Sequence, residues 1–73
     1  MAYTITVEDE FGQIIREYRY SGRGEAIRVA KDAARHEQGR AVITDEDNVI
    51  VEEFKYENGV VLTPDSDGNM NYA

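Results

Sequence analysis

Apolar and polar residues alternate from the start of the chain. Tyr3, Ile5 and Val7 fall on one side and Thr4, Thr6 and Glu8 on the other, the period of two expected of a half-buried strand. Asp9, Glu10, Phe11 and Gly12 read as a tight turn, with Gly12 suited to the left-handed position that closes a type I turn with a bulge. Residues 13–20 continue as a second strand, so 3–20 is expected to form a hairpin. Its register has two solutions. A two-residue loop sets Val7 opposite Ile14, whereas a bulged loop sets it opposite Ile15, and one slip exchanges the faces of the whole second strand.

After Ser21, Gly22, Arg23 and Gly24 the period changes. Ala26, Ile27, Ala30, Ala33 and Ala34 form an apolar stripe of period 3.6, with Arg28, Lys31, Asp32, Arg35 and Glu37 on the wet side. The spacing predicts a helix over 25–38, with Gly39 as the residue that ends it. An alanine stripe lets such a helix lie close to a sheet. A third strand is expected at 40–44, a polar turn at 45–48 and a fourth strand at 49–56. Asn58-Gly59 is a strong turn signal, and 60–62 adds a short fifth strand or folds over an edge. The order β-β-α-β-β predicts an α+β fold of two layers, a mostly antiparallel four-stranded sheet with one helix on one face. Residues 1–63 form the single domain and 64–73 a polar, mobile tail. No internal repeat or low-complexity tract stands out.

Length and charge narrow the function. Seventy-three residues hold one domain. There is no cysteine, which removes disulfide scaffolds and Cys-ligated metals and makes the cytoplasm the expected compartment. No apolar run approaches the roughly 20 residues of a membrane span, and the N-terminus lacks the pattern of a signal peptide. Net charge is −7. Residues 1–40 balance seven acids with seven bases, and 41–73 hold eight acids against Lys55. An electrically two-ended molecule follows, which bears on partners rather than on fold.

Candidate chemistry is sparse. His36, the only histidine, lies near the helix end without a serine or third group to complete a triad. Glu52 and Glu53 are adjacent in a strand and face opposite sides. Asp65, Asp67 and Asn69 open like a calcium loop, but Met70 stands where that loop needs glycine. Gly22-Arg23-Gly24, with Arg28 nearby, sits where a helix N-terminus would attract an anion, without the remaining residues of a phosphate loop. An acidic chain of pI about 4.5 is a poor general binder of nucleic acid. No enzymatic role, cofactor or metal is expected. Aromatic content is more informative: Tyr3, Tyr18, Tyr20, Phe54 and Tyr56 all lie in expected strands. The second and fourth strands carry apolar residues on both faces, with Ile14, Tyr18 and Tyr20 against Ile15, and Ile50, Phe54 and Tyr56 against Val49 and Val51. That is more than one helix covers, so Tyr3, Tyr18, Tyr20 and Tyr56 are expected to anchor a partner.

The pattern Glu25-Ala26-Ile27…Ala30…Ala33-Ala34…Gly39, followed by Val49-Ile50-Val51-Glu52-Glu53-Phe54, resembles small domains of bacteria and their phages. In size, acidity and architecture it is similar to some anti-CRISPR and other anti-defence proteins. The resemblance implies a non-enzymatic inhibitor that covers a basic, nucleic-acid-binding surface of a host complex. Asp45, Glu46, Asp47, Glu52, Glu53 and Glu57 would then stand in for phosphates. A homodimeric structural or regulatory domain, and a small-anion binder at Gly22, Arg23, Gly24 and Arg28, are the other readings.

Overall fold

A computed structural model describes residues 2–64 and 69–72. The strands are β1 (Tyr3–Glu8), β2 (Ile14–Tyr20), β3 (Arg40–Thr44), β4 (Ile50–Glu57), β5 (Val60–Pro64) and β6 (Met70–Tyr72), with one helix, α1 (Arg23–Glu37), between β2 and β3. They form one antiparallel sheet in the order β2-β1-β3-β4-β5-β6. The α+β class stands as expected, but the sheet has six strands and not four. Asn58 and Gly59 both take positive φ (53° and 84°), the two-residue turn that asparagine-glycine favours, and this carries the chain back into a full strand β5. The alternation in Met70-Asn71-Tyr72 is too short to read, and it becomes a strand because β5 offers it an edge. Asp65, Ser66 and Asp67 lie outside the described residues.

The helix buries Ala26, Ala30 and Ala34 against Ile5, Val7, Ala41, Ile43, Phe54 and Val61. Its axis lies over β1, β3 and β4. Gln38, not Gly39, takes the left-handed conformation after the helix (φ 55°). Gly39 is needed for another reason: a Cβ there would fall onto the backbone carbonyl oxygen of Glu8.

Neither expected register of the first hairpin is the one found. The bulged loop forms, with Gly12 at φ 83° and Asp9 N–H bonded to the Gln13 carbonyl at 2.9 Å. A second irregularity follows between Val7 and Glu8, so Glu8 faces Ile14 while Val7 faces Arg16. That extra residue changes the phase of β2. Tyr18 and Tyr20 turn to the helix side beside Ile5 and Tyr3, and Ile14 is left exposed on the other face. β4 does the same, with a register shift at Ile43/Thr44 that sends Phe54 and Tyr56 inward and leaves Ile50 exposed.

The coincidence runs through both hairpins, which are one unit used twice. Asp9 corresponds to Asp45, Gly12 to Asn48, Ile14 to Ile50, Glu17 to Glu53, Tyr18 to Phe54 and Tyr20 to Tyr56, all at one constant spacing. The Asp9 carboxylate accepts from Phe11 N–H and Gln13 N–H, both at 2.9 Å. The Asp45 carboxylate accepts from Asp47 N–H at 2.9 Å and Val49 N–H at 3.0 Å. Asn48 takes the left-handed place of Gly12, with φ 64°, which asparagine tolerates better than most residues. The β1–β3 pairing maps onto itself under the same correspondence, centred where Thr6 faces Val42. The two hairpins are therefore related by a pseudo-twofold axis normal to the sheet. An internal repeat is present after all.

Candidate functional site

The twofold is broken above the sheet, where a single helix crosses both hairpins. The position after each bulge meets a different helix end and carries the charge suited to it. Arg16 reaches Glu37 at the C-terminal end (3.6 Å), and Glu52 reaches Arg23 at the N-terminal end (3.7 Å). The helix dipole favours a cation at the first and an anion at the second.

The helix also leans away from β2. On the β4 side, Phe54 is buried under it, Lys31 Nζ stands 5.9 Å from the Phe54 ring centre, and β5 covers the strand edge with Val61 against Tyr56. On the β2 side, Tyr18 is only half-buried. An open groove of about 580 Å³ runs beside it, lined by Val29, Asp32, Ala33, Arg35 and His36. Tyr3 and Tyr20 flank Tyr18 on the same face, and the outer edge of β2 pairs with no strand among the described residues. Edge strand and groove lie side by side, and together they form the candidate site.

The expected aromatic anchors are therefore brought together in part. Tyr3, Tyr18 and Tyr20 share the β2 side, while Tyr56 lies across the helix against Val61. None lies on the helix-free face. That face is mostly polar, with Thr4, Thr6, Thr44, Glu17 and Arg19 around it. The large apolar side chains left exposed among the described residues are Phe11, Ile14, Ile15, Val49 and Ile50 at or beside the two matching turns, with Val60 and Tyr72 toward the β5–β6 edge.

The acidic residues do not gather into one patch. The polarity of the sequence is not a polarity of the surface, because β4 carries Glu52 and Glu53 to opposite faces and Glu57 to the end away from Asp45, Glu46 and Asp47. Most of them are also engaged within the chain. Asp45 holds its turn, and Glu46 accepts from Ala2 N–H at 2.9 Å. Glu52 accepts from the Thr63 hydroxyl at 3.1 Å as well as meeting Arg23. Glu53 accepts from Arg40 Nε at 2.8 Å, and Arg40 Nη1 lies 3.0 Å from Glu8. That Arg40 hydrogen bond holds the Glu53 carboxyl below its ordinary range, against partial desolvation and with the help of the Arg40 charge. Asp47 and Glu57 remain exposed without an ion pair among the described residues.

The expected anion site is weaker in structure than in sequence. Gly22 caps the helix without a side-chain hydrogen bond, Arg23 is directed to Glu52, and Arg28 lies on the outer helix surface beside Gly24 and Lys31. His36 is exposed on the groove wall. Among the described residues no side chain that is polar or charged is buried, no cluster of three metal-ligating side chains occurs, and no helix is long and apolar enough to cross a membrane. No family model, curated protein or solved structure matches the chain.

Proposed function

We propose that the chain is a small non-enzymatic protein-binding module whose working surface is the β2 side. The observation that carries this reading is Tyr18, half-exposed between the groove it helps to line and a strand edge that pairs with nothing among the described residues, with Tyr3 and Tyr20 beside it on the same face. An edge supplies main-chain hydrogen bonds, and the groove takes alternate side chains of an incoming strand. Tyrosines supply contact area at low entropy cost. Catalysis is not part of the proposal, because general acid–base work needs a sheltered group with a shifted pKa, and the site offers only exposed His36, Asp32 and Arg35.

The net charge of −7 suits a partner with a basic surface, and the exposed Asp47, Glu46 and Glu57 would speed the encounter more than hold the complex. Inhibition by covering such a surface, in the cytoplasm of a bacterial host, is the version that the resemblance to anti-defence proteins favours. The test is capture from nuclease-treated bacterial lysate by the wild type and by Val29→Glu, which places a charge in the groove from the helix side, with thermal melting of the variant to establish that it is folded. A stoichiometric partner held by the wild type and lost by the variant supports the proposal. Identical recovery by both, or recovery of the bait alone, would count against it.

A further inference from the structure

The fold itself shows how such an edge is filled. The outer side of β4 receives an antiparallel strand, with Lys55, Tyr56 and Glu57 facing Leu62, Val61 and Val60. The corresponding residues are Arg19 and Tyr20 of β2 and Ser21 just after it, and on their outer side no strand faces them among the described residues. The charges of β2 decide what could. Glu17 and Arg19 lie on the same face, both exposed, and neither has an ion pair among the described residues.

The geometry points to a second copy of this chain, its own β2 docked antiparallel against this one in the register that sets Tyr18 opposite Tyr18. The inference rests on the reading of the β2 side as the binding surface and names its occupant. Three twofold registers keep both helices on the same side of the joined sheet and centre on the charged stretch. Centring on Glu17 sets Glu17 against Glu17, and centring on Arg19 sets Arg19 against Arg19; like charges directly opposite are destabilising. Centring on Tyr18 sets Glu17 against Arg19 twice, once on each side of the axis. On the helix face the same register pairs the two Tyr18 rings and sets Arg16 against Tyr20, an aromatic pair flanked by cation–aromatic contacts. The symmetry is the kind the chain already uses, since β1 and β3 meet across a pseudo-twofold centred on Thr6 and Val42. The opposite edge of the sheet, β6, spans three residues, Met70–Tyr72, with no charge to fix a register.

Sedimentation over a range of concentrations tests this with Glu17→Arg, Arg19→Glu, the double inversion and an equimolar mixture of the two single variants. The wild type should dimerise as concentration rises. Each single inversion replaces two attractions by two repulsions and should weaken dimerisation about tenfold or more. The double inversion and the mixture should restore it. Both side chains are solvent-exposed and unpaired in the monomer, so melting in dilute solution should show every variant folded. Tyr18→Cys gives a second readout in a chain without cysteine. Directly opposed strand residues lie about 4.5–5.5 Å apart at Cα, within disulfide reach, so mild oxidation should give a covalent dimer. A wild type that stays monomeric, a dimer indifferent to the single inversions, or a double inversion that fails to recover would overturn the proposal. A monomer that still captures a foreign partner would sink self-pairing alone and leave the binding-module reading standing. A dimer that captures none would uphold self-pairing and remove the foreign partner.

Discussion

The hairpins β1–β2 and β3–β4 share a turn, a bulge and a register, and they differ in what lies beyond them. The second has a helix seated on Phe54 and a strand laid along its edge. The first has a groove beside Tyr18 and no strand along its edge among the described residues. Identical local rules thus produce a structural half and an available half. The difference comes from where one helix rests and from where the chain continues, not from the strands.

The largest expected contrast is in packing. Phe54→Ala should cost about 3–4 kcal/mol, the range for a fully buried aromatic side chain. Tyr18→Ala, its counterpart, should cost only about 1–2 kcal/mol because the ring is already half wet. Chemical denaturation of both variants checks this, and equal losses would mean that the helix covers both hairpins alike. In a chain of this size the Phe54 loss takes most of the available stability.

Turn chemistry should show the opposite, an equivalence. Each of Asp9 and Asp45 accepts two backbone N–H groups, so Asp→Ala should cost about 1–2 kcal/mol at either site. Asp→Asn, which keeps the acceptor oxygen, should recover most of it. Losses that differ severalfold would show that the two turns are alike in shape but not in energetics.

Smaller still are the charges that break the symmetry. Arg16→Glu and Glu52→Arg each place the wrong sign against a helix end. In each pair the arginine is more than half exposed and the glutamate is partly covered, so each reversal should cost about 0.5–1 kcal/mol and fade with added salt. Restoring Arg16→Glu with Glu37→Arg should recover the pairing but not the dipole contribution. The Arg40–Glu53 pair adds a pH signature. Glu53 is held below its ordinary value of 4.5 in the folded state. Its contribution is therefore complete above that value, and it is lost as pH falls through it toward the folded pKa. Glu53→Gln should flatten that part of the acid side of a stability–pH curve. The corresponding Glu17→Gln should leave monomer stability at neutral pH unchanged, since Glu17 has no partner within the described monomer.

Much of this architecture can be read from the residues. The alternation of β1, the alanine stripe of α1 and the Asn58-Gly59 turn each state their structure locally. The bulges do not. Val7 meets Arg16 because one unpaired residue slips into β2, and no residue type demands it there. That slip decides that Tyr18 and Tyr20 face the helix, so a reading by strict alternation places the pair with Ile14 instead. The repeat is hidden for a related reason. Asp9-Glu10 and Asp45-Glu46, Ile14 and Ile50, Tyr20 and Tyr56 recur, but Gly12 is replaced by Asn48 and Arg16 by Glu52. Comparing the chain with itself at the spacing that separates Asp9 from Asp45 would have found it. The roles of Glu52 and Glu53 depend on where α1 and Arg40 lie, which only the fold supplies.

The most direct test is hydrogen exchange of the β2 backbone amides, followed residue by residue at low and high protein concentration. If β2 is the free counterpart of a filled edge and takes a second copy, its outward-facing amides between Arg16 and Tyr20 should exchange quickly in dilute solution. They should then gain protection as concentration rises, while those of β4 stay protected throughout. Exchange along β2 that does not change with concentration would contradict the pairing. Protection of that edge already complete in the dilute monomer would contradict the contrast between the two hairpins itself.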